Sequence, residues 1–346
     1  LISDGGGVFS RSMKSIPVSS QMRKVLGIKA RSLSPADLIS ALLKAPVDML
    51  WNGGIGTYVK APSESHEDVG DKTNDALRID SNELRCKALG EGGNLGVTQK
   101  ARIDFARRGG SVNSDFIDNA GGVDCSDHEV NIKILLGDVV ARGDMTEKQR
   151  NKLLEEMTED VSRLVLRDNY QQTQSISVIE NRAAQSLDRH QRAMRALERA
   201  GYLDRDLEFL PDDEEIADRL QARKGLTRPE LAVLLAYTKN VAYQELLESD
   251  LPDDPLLSED LVRYFPPVLN ERYAENVQGH RLRREIIATH VTNSMINRVG
   301  PGVTLRMNEL TGAHPAETAR AYAAAREIFR LRELWQDIEG LDNAVV

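Results

Sequence analysis

Cys86-Lys-Ala-Leu-Gly-Glu-Gly-Gly-Asn-Leu-Gly-Val-Thr98 decides how the first part of this chain folds. Cys86-Lys-Ala-Leu89 is a short apolar run of strand type, and it ends at once on the turn-forming cluster Gly90-Glu-Gly-Gly-Asn94. A helix is expected from Val97 to Arg108. A strand that passes through a glycine-rich turn into a helix is one unit of a parallel α/β sheet. The flanking segments repeat the unit. Upstream, Val47-Asp-Met-Leu-Trp51 reads as a buried strand. It follows a helix whose start is marked by Ser34 as cap, Pro35 at the first helical position and Asp37 in the first turn. Downstream, Ser111-Val-Asn-Ser114 reads as a third strand.

Beyond residue 137 strand signals fade. Thr146-Glu-Lys-Gln149 and Thr227-Arg-Pro-Glu230 are capping boxes, each opening a helix. Leu153, Leu154, Met157, Val161, Leu164 and Val165 recur at helical spacing and form one apolar stripe. Ala316 to Trp335, rich in Ala, Arg and Glu, is expected to be one long helix. Pro211-Asp-Asp213, Leu251-Pro-Asp-Asp-Pro255 and Phe265-Pro-Pro267 read as loops. The expected fold is a partial, Rossmann-like α/β dinucleotide-binding domain over residues 1–136, followed by a mainly α-helical C-terminal domain over 137–346.

Composition narrows the classes of function. A formal net charge of −9 makes the chain a poor partner for nucleic acid, whose phosphates demand clustered Lys and Arg. Arginines here alternate with acids, as in Arg281-Leu-Arg-Arg-Glu285, which is the pattern of solvated helix faces. No apolar run reaches the roughly 18 residues of a membrane span. Two cysteines, Cys86 and Cys125, argue against a disulfide scaffold and for a reducing, cytoplasmic setting. The start, Leu1-Ile-Ser-Asp-Gly-Gly-Gly7, has neither an initiator Met nor a leader pattern and reads as cut from a longer chain.

Two segments could carry chemistry. Glu91-Gly-Gly-Asn-Leu-Gly-Val-Thr98 lies beyond the carboxyl end of a strand, where doubly wound sheets bind ligands. Its glycines allow close backbone approach, and Asn94 both donates and accepts. Alternatively, the glycines only shape a turn and Asn94 caps the next helix. Asp118-Asn-Ala-Gly-Gly-Val-Asp-Cys-Ser-Asp-His-Glu129 contains Ser126 and Glu129 at capping-box spacing, so a helix is expected to begin near residue 127. Its N-terminus would suit a carboxylate, with Gly121 and Gly122 letting a flat group lie on the backbone. Alternatively, Ser126 caps its own helix and nothing more. Trp51-Asn-Gly-Gly-Ile-Gly-Thr57 reads as either a cofactor-side turn or a plain βα turn. Asp4-Gly-Gly-Gly7 lacks the spacing and the following helix of a phosphate loop. Cys125 and His128 have no second Cys/His pair, so no metal site is assigned, and His280, His290 and His314 read as surface or core histidines.

Taken together these segments resemble the glutamate dehydrogenase family. That family carries Asn-Ala-Gly-Gly-Val followed by Ser and then Glu, here Asn119-Ala-Gly-Gly-Val123, Ser126 and Glu129, and a Glu-Gly-Ala-Asn turn before a helix, here Glu91-Gly-Gly-Asn94. Ile2 to Arg11, Trp51 to Lys60, Leu226 to Leu231, Leu282 to Thr289 and Asn293 to Arg298 resemble its very large, NAD-specific bacterial branch. The resemblance implies NAD as cofactor, L-glutamate, 2-oxoglutarate and ammonia as reactants, and a homo-oligomer. It implies that Asn94, with Gly93, contacts the nicotinamide ribose region, and that Asn119, Gly121 and Gly122 line the meeting place of nicotinamide and substrate. Ser126 would hold the side-chain carboxylate of glutamate, and Asn52 and Gly53 would lie beside the adenosine half.

The departures are Gly93 in place of Ala, Leu95-Gly-Val97 in place of Gly-Pro-Thr, and the acids Asp124 and Asp127, which are expected to face solvent. The family's catalytic Lys and Asp sit in a substrate domain that no segment here resembles. They are expected in the remainder of the same polypeptide, and no catalytic residue is assigned in this chain. Two other readings stay open: a non-catalytic helical module that builds oligomer or regulatory contacts, and a dehydrogenase for Leu, Val or Phe.

Overall fold

The computed structural model describes residues 2–341. Strand β1 (Ile16–Pro17), helix α1 (Ser20–Leu26), strand β2 (Ser32–Leu33) and helix α2 (Pro35–Leu43) form a first small unit, with β1 and β2 antiparallel. Ser34 caps α2 as its sequence implies, its hydroxyl accepting the Asp37 amide at 3.2 Å. Ile16, Leu26, Leu38 and Ala45 make the local core.

Next come β3 (Met49–Asn52), β4 (Val59–Lys60), α3 (His66–Val69), β5 (Ile79–Asp80), β6 (Ala88–Glu91), α4 (Gln99–Arg107) and β7 (Ser111–Val112). The three expected strands pair in parallel in the order β3-β6-β7, with Asn52 beside Glu91 and Leu89 beside Val112. The short strands β4 and β5 form a separate parallel pair. Thr98 caps α4 by accepting the Ala101 amide, and Ala101 and Phe105 of α4 close over Val59, Ile79, Leu89 and Val112.

Helices then take over: α5 (Asp115–Asp118), α6 (Ala120–Ala141), α7 (Glu147–Glu156), α8 (Thr158–Asn181), α9 (Leu187–Arg199), α10 (Asp213–Gln221), α11 (Arg228–Glu248), α12 (Ser258–Tyr264), α13 (Pro267–Arg272), α14 (Ala274–Gln278), α15 (Arg283–Val299), α16 (Val303–Thr311), α17 (Pro315–Ile328) and α18 (Leu331–Gly340). One continuous core runs from Ile117 to Ala323, with Leu231 to Leu235 of α11 and Ile286 to Ile296 of α15 at its centre. Two of the three expected capping boxes are formed, at Thr146/Gln149 and Thr227/Glu230. The chain is thus mainly helical with small sheets, those of β3-β6-β7 and β4-β5 being parallel. Among the described residues no helix is long and apolar enough to cross a membrane.

Three local expectations need correction. The helix expected to start near residue 127 starts at Ala120, so Ser126 lies inside α6 rather than at its cap. The expected single helix from Ala316 to Trp335 breaks into α17 and α18, because Arg330 adopts a left-handed conformation with φ 52°. The stripe from Leu153 to Val165 is shared by two helices that meet at Met157, which is buried.

Candidate functional site

β3 and β6 end side by side, and the turns that follow them pack backbone to backbone. The Gly92 amide donates to the Asn52 carbonyl at 2.8 Å. A Cβ on Gly93 would stand 2.8 Å from the Gly54 carbonyl oxygen, and one on Gly96 would overlap the Asn52 amide. This is why the turn reads Gly-Gly-Asn-Leu-Gly: a side chain at 93 would separate the two turns. Leu95 takes a left-handed conformation, φ 58°, and is held from both sides. Its amide donates to Asp115 at 2.8 Å, and its carbonyl accepts the Thr57 hydroxyl at 2.6 Å.

Beneath the turn lies a polar network that the sequence reading missed. Glu91 is fully buried and receives Arg102 through two hydrogen bonds, 2.6 and 2.9 Å, as well as the Val97 amide at 3.1 Å. Arg102 also reaches Asp115 at 3.3 Å, and Asp118 accepts the Glu91 amide at 3.0 Å. Burial pushes the carboxyls of both Glu91 and Asp118 up. Arg102 opposes this at Glu91, while the Asn113 amide and the Glu91 N–H oppose it at Asp118. The signal that could have found the network is Asp115 and Asp118 in a short helix after β7, opposite an Arg one turn into α4.

Asn119 joins the two Gly-rich segments. It ends α5 and begins α6, and its side-chain amide donates to Asn94 Oδ1. The five residues expected to bind cofactor, Asn52, Gly53, Gly93, Asn94 and Asn119, therefore gather at the carboxyl ends of β3 and β6 and at the start of α6. Asn94 and Gly53 are exposed there. The Asn52 side-chain amide is packed against Gly96, its Nδ2 buried with no partner among the described residues. These groups suit a flat, polar, extended ligand such as a dinucleotide: amides that donate and accept, and glycine backbone that a ring can approach.

The residues expected to bind substrate are placed differently. Gly121 faces α8, where an added Cβ would meet Val165 at 3.5 Å, while Gly122 is open to solvent. Ser126 is exposed and donates to the Gly122 carbonyl at 3.2 Å, one turn back in the same helix. Asp124 does not face solvent as expected. It turns toward α8, into a cavity of about 430 Å³ bounded by α6, α8, α12, α15 and α18. Burial together with the charges of Asp168 and Asp127 pushes its carboxyl up to about 7. Asp127 is tied to the Tyr264 hydroxyl at 2.6 Å. Cys125 is exposed and unbonded to sulfur, whereas His128 is buried. Of the other histidines, His280 is buried against the Asn131 carbonyl and His290 pairs with Asp260 at 2.9 Å.

Residues 1–179 match the family model for the catalytic domain of bacterial NAD-glutamate dehydrogenase, and residues 223–346 match the model for the glutamate dehydrogenase C-terminal region. The chain is 54% identical over 345 residues to the NAD-specific glutamate dehydrogenases of Halomonas elongata and of Pseudomonas aeruginosa. It is 45% identical over 344 residues to that of Mycobacterium tuberculosis. These alignments cover 98–100% of this chain and 21% of each relative, so the chain spans about a fifth of the length of the curated relatives it matches. With two family models together taking in most of its residues, and its Gly-rich motifs meeting at one sheet edge, the chain belongs to the bacterial NAD-glutamate dehydrogenase family.

Proposed function

We propose that this chain supplies part of the NAD site, and the side-chain end of the glutamate site, of an NAD-dependent glutamate dehydrogenase. In this reading residues 1–136 are the distal part of a Rossmann-like domain and 137–346 a helical domain, with α6 spanning the division. The observation that carries it is the Asn94–Asn119 hydrogen bond, which brings two motifs distant in sequence to the carboxyl ends of parallel strands. That is the place where open α/β sheets bind ligands.

Asn94 and Gly93 then orient the nicotinamide ribose region, Asn52 and Gly53 lie along the adenosine half, and Asn119, Gly121 and Gly122 border the meeting place of cofactor and substrate. Ser126 holds the side-chain carboxylate of L-glutamate through its exposed hydroxyl. NAD, when bound, accepts the hydride from the α-carbon of glutamate, and hydrolysis of the resulting imine yields 2-oxoglutarate and ammonia. This chain's contribution is position and charge; the general acid and base lie in the remainder of the polypeptide.

Trp51, 56% exposed, and Ile55, 96% exposed, stand in the turns with Leu95, an apolar border for that remainder to cover. A homo-oligomer in the cytoplasm completes the proposal. Exposed Ile328 and Phe329 at the end of α17, with Leu334 and Ile338 on α18, favour a contact-building role for the helical part alongside the catalytic one.

The test is Ser126→Ala in the full-length protein. Because Ser126 bonds only within its own helix among the described residues, the fold should be kept. The expected result is a KM for glutamate raised far more than that for NAD. Equal effects on both, or activity with leucine, valine or phenylalanine above that with glutamate, would sink the assignment.

A further inference from the structure

We propose that Asp124, His128 and Asp168 bind one divalent transition-metal cation, of the zinc or manganese class, between α6 and α8. One ligand atom from each lies within 4.8 Å of the others. Asp124 and His128 are four residues apart on α6 and share a face, with His128 Nε2 3.9 Å from the Asp124 carboxylate. Asp168 comes across from α8, which packs against α6.

The independent observation is His128 itself. It is 1% exposed, and neither ring nitrogen has a hydrogen-bond partner among the described residues. A buried imidazole ordinarily gives its N–H to an acceptor and receives a donor or metal on the other nitrogen. Here the ring is fixed by stacking on Tyr264, centroids 4.3 Å apart, with its edge toward the two carboxylates. Ligands held about 2.1 Å from a zinc ion stand about 3.4 Å from one another in a tetrahedron. The ligand atoms, within 4.8 Å of one another, would have to draw together to that spacing on binding, and the adjoining cavity leaves room for water as a further ligand.

The groups facing the cluster are compatible with a cation. Asp127 is engaged by Tyr264, and Arg167 donates to one oxygen of Asp168 at 3.0 Å, leaving the other free of that contact. Lys239 of α11 is turned to Gln172 at 2.8 Å, and burial lowers its amine to about 8. His290 is occupied by Asp260. The raised carboxyl of Asp124 reflects burial beside other acids, a repulsion that a bound cation would reverse. Mixed imidazole and carboxylate donors select zinc, manganese or iron(II) over calcium or magnesium. Such an ion would pin the helix that carries Asn119 to Ser126 against the helical core.

The experiment uses the full-length protein, stripped with EDTA, dialysed against ZnCl2 or MnCl2, desalted, and analysed for bound metal. Asp168→Asn and His128→Gln should each hold about one equivalent less per chain than the unaltered protein. The titrated affinity of that equivalent should fall roughly 100-fold or more, beyond the 10–100-fold typical of losing an outer hydrogen-bond partner of a metal ligand. Cys125→Ser should leave it unchanged, which separates this site from adventitious thiol binding. Identical metal content in the unaltered protein and both variants would overturn the proposal. Asp168→Asn is a near-isosteric change on a partly exposed residue, so it decides the question if His128→Gln lowers the helical circular-dichroism signal.

Discussion

Asn119 donates its side-chain amide to Asn94 across 25 residues of sequence, so the Gly-rich turn after β6 and the Gly-rich start of α6 act as one structural unit. If they also act as one functional unit, Asn94→Ala and Asn119→Ala in the full-length protein will each raise KM for NAD. Their combination will cost less than the sum. Residues in direct contact typically show interaction energies of about 0.5–3 kcal/mol in such cycles. Steady-state kinetics on the four proteins measure it; strict additivity would separate the two residues.

The buried Glu91–Arg102 pair supports that unit from below. Both side chains are almost wholly inaccessible, and their fork of hydrogen bonds links the end of β6 to α4. Removing one partner leaves a buried charge without compensation. Arg102→Met should therefore lower stability by about 3–5 kcal/mol, read as a shift in the urea midpoint. The double change Glu91→Leu/Arg102→Met should recover part of this loss, because the orphaned charge is gone.

How much of this was legible in the sequence follows the range of each interaction. The caps at Ser34, Thr146 and Thr227 are local hydrogen bonds, and the residues that make them lie within three positions of their targets, whereas the helix after β6 is capped by Thr98 and not by Asn94. The strands around Leu50, Leu89 and Val112 announce themselves as short apolar runs closed by turn residues. The start of α6 is not legible locally, because Ser126 and Glu129 have capping spacing and point to a helix beginning near residue 127. In the fold, α5 has already set the chain turning, and the helix runs straight through Gly121 and Gly122. Ser126 then spends its hydroxyl on Gly122, one turn back. The inward turn of Asp124 and the break at Arg330 depend on neighbours far along the chain, which local spacing does not encode.

Gly93 departs from the Glu-Gly-Ala-Asn turn of the wider glutamate dehydrogenase resemblance, and the structure gives a reason: the Gly54 carbonyl occupies the space a Cβ would need. Gly93→Ala should cost about 1–3 kcal/mol, the range for overpacking a tight contact. Gly53→Ala should be much milder, since its Cβ would meet the Trp51 ring at an ordinary 3.8 Å. Parallel denaturant titrations of the two variants check the contrast.

His190 is buried in α9, and burial lowers its pKa from 6.5 to about 4. A histidine with a depressed folded pKa favours the neutral form, so between those values the unfolded chain binds more protons and stability rises with pH. The contribution is complete above pH 6.5 and is lost as pH falls toward 4. At about 1.4 kcal/mol per unit the loss is on the order of 3 kcal/mol. His190→Leu should flatten that part of the stability–pH curve, measured as melting temperature in a buffer series. An unchanged slope would place the dependence elsewhere.

On the proposed function, this chain holds positioning residues for an NAD-dependent oxidation of glutamate whose acid and base lie elsewhere in the polypeptide. The most direct measurement is glutamate-dependent NADH formation by the full-length protein, with the 346-residue chain assayed beside it. Activity with glutamate is expected from the full-length protein and none from the chain alone. Turnover by the isolated chain would contradict that reading, because the catalytic groups would then lie among the residues described here.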